Sequence, residues 1–85
     1  MDLRHIEERL AAVLSSAKGW LPSEQLAEMQ SLVRAGEPGV ALENFCTQLE
    51  EYDVAVPAHV VIELKNLASL MGMTIPRWIE RGGHA

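Results

Sequence analysis

The chain has 85 residues, 48% hydrophobic and 22% charged, which is enough for one small core and too apolar for a disordered protein. A formal net charge of -5 speaks against a nucleic-acid partner, and the single cysteine, Cys46, excludes an internal disulfide. Only four aromatics occur (Trp20, Phe45, Tyr52 and Trp78), so Leu, Val, Ile, Ala and Met must fill the core. That palette favours packed helices over a sheet.

In chain order, Leu3, Ile6, Leu10, Val13 and Leu14 recur at helical spacing, with Asp2 as N-cap and an end near Ala17. Gly19-Trp20-Leu21-Pro22 is a connector, and Ser23 is the expected cap of a second helix with Leu26, Met29, Leu32 and Val33 on its apolar face. Gly36 ends it. Pro38 suits the first turn of a third helix, where its missing N–H has no intrahelical partner anyway. Leu42, Phe45, Leu49 and Tyr52 mark one face of that helix, while Glu43, Thr47, Glu50 and Glu51 populate an outward one. Pro57 opens a fourth helix, apolar over more than half its circumference and therefore expected to be the most buried. Gly72 closes it, and Thr74–Ile79 is expected to form a short helical turn. The expected fold is all-α, a compact bundle or array of four principal helices in one domain over 1–80, with a tail over 81–85.

Chemistry of the usual kinds is missing. A hydrolase needs a nucleophile beside a base or a pair of carboxylates held across a cleft. Here Cys46 reads as a small buried hydrophobe, and His5, His59 and His84 are scattered, with His59 on the surface. No Cys/His cluster has metal-ligand spacing, and Gly36 and Gly39 flank Pro38 as helix punctuation rather than as a phosphate loop. The Asp-Ser-Leu attachment site of an acyl carrier protein is absent, and a helix-turn-helix reader needs cations where helix three carries acids. We therefore expect no catalytic residue, no metal and no cofactor, and no small-molecule, nucleic-acid or membrane partner. The apolar run around Val60–Met73 is interrupted by Glu63, Lys65 and Asn66, and the charged N-terminus has no signal-peptide character, so a cytoplasmic protein is expected.

The charge is unevenly placed. Ala35–Leu64 holds six carboxylates (Glu37, Glu43, Glu50, Glu51, Asp53 and Glu63) and no Lys or Arg. The flanks hold six acids against seven bases, so the net charge is concentrated in the middle. A solvated face explains any single acid, but surfaces usually mix signs. Acids at the end of helix three also oppose its dipole, a small cost with no structural return. A field of one sign attracts a partner of the other. Expected partner-binding residues are Glu37, Glu43, Glu50, Glu51 and Asp53 as the charged patch, with Tyr52 and Trp20 as aromatic anchors. Tyr52 could equally continue the core stripe, and Trp20 could be a lid over the core.

The run Ala35-Gly36-Glu37-Pro38-Gly39-Val40-Ala41-Leu42-Glu43-Asn44-Phe45-Cys46-Thr47-Gln48-Leu49, followed by Glu50-Glu51-Tyr52-Asp53-Val54, resembles the middle of bacterial immunity proteins of the MafI type. In those, a G-E-x-x-x-A-L-E-x-[LF]-C-x-x-L run leads into an acidic loop and an apolar helix ending in M-G or L-G. Leu70-Met71-Gly72 agrees, and the resemblance spans about Leu26–Met73. It implies an antidote to a contact-dependent toxin, often a nuclease with a basic cleft, but it supplies no set of binding residues. The rival expectation is a self-associating or adaptor module, using Val61, Ile62 and Leu70 as an apolar surface.

Overall fold

In the computed structural model, which describes residues 2–76, the chain forms four helices: α1 (Leu3–Ser16), α2 (Ser23–Arg34), α3 (Pro38–Glu51) and α4 (Ala58–Leu70). No strand occurs among the described residues. The all-α expectation holds, and each helix start has a local cause. Asp2 caps α1 by accepting a hydrogen bond from the Arg4 N–H at 3.1 Å. Pro38 is the first residue of α3, as its chemistry favours.

The start of α2 differs from expectation. Pro22, not Ser23, is the N-cap, and no side chain caps the helix. The Pro22 carbonyl accepts from the Leu26 N–H at 3.2 Å, so the first helical bond begins one residue earlier. Pro57 plays the same part for α4, accepting from the Val61 N–H at 3.1 Å.

The centre of the fold is α1 and α3 rather than α4. Each of those two packs against all three other helices, whereas α4 touches α1 and α3 but not α2. Leu42, Phe45 and Leu49 of α3 are fully buried against Leu10 and Leu14 of α1 and Met29 of α2, all in one core. On α4, Val60, Val61, Leu64, Leu67 and Ala68 face inward, while Ile62 is 59% and Leu70 42% exposed. Its apolar circumference is wider than the surface its neighbours cover. Val61 is thus core and leaves the apolar surface expected for self-association.

Polar links also tie the helices together. Arg9 of α1 donates from Nε and Nη2 to Glu63 of α4, at 2.9 and 2.6 Å. Gln30 of α2 donates from Nε2 to the Ala11 carbonyl at 3.1 Å. Beyond α4, Thr74–Pro76 is irregular rather than the start of a helical turn. Pro76 disfavours helical geometry at Ile75, and Met73 and Ile75 instead pack against the core. Arg77–Ile79, the rest of the expected turn, and the tail over 81–85 lie outside the described residues.

Candidate functional site: the acidic end of α3

Helices α2, α3 and α4 all end in the same hydrogen-bonding device. In α3 the Asp53 N–H donates to the Glu50 carbonyl and the Val54 N–H to the Leu49 carbonyl, both at 3.0 Å. These two bonds define a Schellman motif, which needs a left-handed residue just past the helix. In α2 and α4 that residue is glycine, Gly36 at φ +82° and Gly72 at φ +66°. In α3 it is Asp53, at φ +51° and the one non-glycine with positive φ among the described residues. That conformation disfavours a β-carbon, and aspartate is one of the few residues besides glycine that visits it.

Around Asp53 the other expected residues assemble in part. Glu43, Thr47, Glu50 and Glu51 are exposed and fall within an arc of about 100° on α3. Glu43 and Glu50 are two turns apart, about 10 Å along the axis. Tyr52, the C-cap, is 50% exposed, so its ring lies at the rim and not in the core stripe. Glu43, Glu50 and Glu51 therefore share one face of α3, and Glu50, Glu51, Tyr52 and Asp53 gather at its C-terminal end.

Two expected residues stand elsewhere in the fold. Glu37 is the N-cap residue of α3, about 20 Å along the axis from Glu51. It is exposed, and as an acid near a helix N-terminus it suits the dipole. Trp20 sits in the α1–α2 connector, half-buried against the core, with its backbone N–H donating to the Ala17 carbonyl at 2.9 Å. That is the lid position. The sixth carboxylate of the block, Glu63, is held by Arg9, whose hydrogen bonds keep it below the ordinary Glu value while partial burial opposes them. Glu63 is a structural acid.

Sequence reasoning passed over one feature of this face. Leu42, Glu43, Cys46 and Thr47 of α3 line a groove of about 300 Å³ together with Met73, Thr74, Ile75 and Pro76. A β-carbon on Gly39 would lie 3.4 Å from Met73 Sδ, about van der Waals contact, so the segment passes beside the first turn of α3. Burial, with Glu43 adding to it, pushes the Cys46 thiol up to about 12, so it behaves as the expected small hydrophobe.

Among the described residues no group of three His, Cys, Asp or Glu side chains is placed to hold a metal ion. His5 and His59 are exposed on α1 and α4. Among the described residues no helix is long and apolar enough to cross a membrane. The chain matches no protein-family model, no curated protein and no solved structure.

Proposed function

We propose that this chain is a stoichiometric binding protein that neutralises a cognate bacterial toxin domain in the cytoplasm, as the MafI-type resemblance implies. The acidic end of α3 docks on a basic surface, such as the substrate cleft of a nuclease, and no catalysis is involved. One observation carries the reading. Glu50, Glu51 and Asp53 flank the exposed Tyr52 in sequence at the helix end where acids are least favoured, and Asp53 adopts a backbone conformation better suited to glycine. In such an interface the charges set the association rate, and the aromatic supplies much of the energy once buried.

Affinity capture from the native host in low salt, read by mass spectrometry, tests this. A single basic domain that is released by high salt, and whose recovery is lost in the double variant Glu50→Lys, Glu51→Lys, supports it. A second reading rests on the exposed Ile62 and Leu70 of α4, where the outward residues Ala58, His59, Ile62, Asn66, Ser69 and Leu70 include no Asp, Glu, Lys or Arg. Recovery of the chain alone, as a salt-resistant oligomer, would favour that self-associating module.

A further inference from the structure

We propose that the groove between α3 and Met73–Pro76 seats one apolar side chain of the basic partner, with a neighbouring Lys or Arg of that partner pairing with Glu43. The inference rests on the acidic-face reading and adds what the partner must look like. Its floor is apolar, since Leu42 and Cys46 are 1% and 3% exposed. Met73, Ile75 and Pro76 form the facing wall. The rim is polar, with Glu43, Thr47 and Thr74, and among the described residues Glu43 is the one charged member of the lining.

Charge complementarity decides the occupant. Glu43 belongs both to this rim and to the outward arc that continues through Glu50 and Glu51, so the α3 side of the groove carries acids, while Lys65 lines the neighbouring hollow behind Met73, Thr74 and Ile75. An apolar centre with a polar rim is the usual anatomy of a protein interface, and an apolar anchor that excludes water strengthens the ion pair beside it. The volume stands at the lower edge of small-molecule pockets (~300–1,000 Å³). A large aliphatic or aromatic side chain flanked by cations fits better. The neutral Cys46 thiol keeps the floor free of competing charge.

The test is an amide NMR titration of the full chain with two acetylated pentapeptide amides, Lys-Lys-Leu-Lys-Lys and Lys-Lys-Ser-Lys-Lys, in low and high salt. The leucine peptide should bind at least about tenfold tighter, the least that burying a leucine side chain is worth. It should also shift the amides of Thr47, Thr74 and Ile75. Thr47→Trp, at an exposed rim position, should fill the groove and erase the difference between peptides. Equal affinities, with shifts confined to Glu43 and Glu50–Asp53, overturn the groove and leave the acidic face standing. Leucine-dependent binding that ignores salt overturns the pairing with Glu43 and the acidic face, and keeps the apolar seat. No binding of either peptide in low salt overturns both. Concentration-dependent shifts of the same amides without peptide would assign the groove to a second copy. Contacts from the Trp78 indole to Leu42 in the free protein would assign it to the chain's own C-terminal segment. Either result overturns the proposal.

Discussion

The ends of α2 and α3 use one backbone device with opposite chemistry. In α2 the last turn holds Arg34, favourable at the negative end of the helix dipole, and Gly36 takes the left-handed position. In α3 the last turn holds Glu50 and Glu51, and Asp53 takes that position. The difference lies beneath the motif. The carbonyl that accepts the longer bond belongs to Leu49 in α3, fully buried, and to Leu32 in α2, half-buried. The residue donating it is Val54, packed on the core, in α3 and the exposed Glu37 in α2. The end of α3 is pinned from inside, so its rim tolerates residues that stability alone would not select.

That contrast can be broken in several ways. Leu49→Ala removes the pin and should cost about 2–5 kcal/mol in urea unfolding, with Leu32→Ala costing clearly less. Equal losses would show that burial does not distinguish the two ends. Gly36→Asp transplants the α3 chemistry onto α2. A β-carbon there meets nothing within 4 Å, so its cost of about 1 kcal/mol is purely conformational. The reverse change, Asp53→Gly, should raise stability by about 0.5–1 kcal/mol while weakening partner binding. A drop in melting temperature instead would give Asp53 a structural role and remove the main reason to call this end functional. Glu50→Lys with Glu51→Lys should raise stability by about 0.3–1 kcal/mol per site in low salt, and the gain should fade as salt is added.

The smallest effect concerns Glu63, the acid that the fold does use. Its folded value is lowered by Arg9, so the stability it contributes is fully present above the ordinary Glu value of 4.5 and is lost as pH falls through the lowered one. Both side chains are about a quarter exposed, so solvent screens the pair and the effect is modest. Melting temperatures of wild type and Glu63→Gln should therefore differ near neutral pH and converge on acidification. A difference independent of pH would mean that the variant acts through packing.

Much of the frame was legible because it is local. The helical spacing of Leu10, Val13 and Leu14, the Asp2 cap and the position of Pro38 each depend on residues within a turn or two. What periodicity cannot give is which neighbour covers an apolar face. For that reason α4 looked more buried than α3, and Val61 looked available. The Arg9–Glu63 pair joins residues 54 positions apart, beyond any local pattern, so Glu63 could not be separated in advance from the outward acids. Tyr52 left the core stripe because α3 ends at Glu51, and ten residues past Leu42 the register has already drifted by about 80°. The groove depends on where Met73–Pro76 crosses α3, which only the folded chain settles.

The most direct test of the acidic end of α3 as the binding face is the association rate with the low-salt partner, measured across ionic strength. Wild type should associate fast and slow steeply with salt. Glu50→Lys with Glu51→Lys should associate at least about tenfold more slowly in low salt, with a flattened dependence. Identical rates and identical salt slopes for the two proteins would contradict the account.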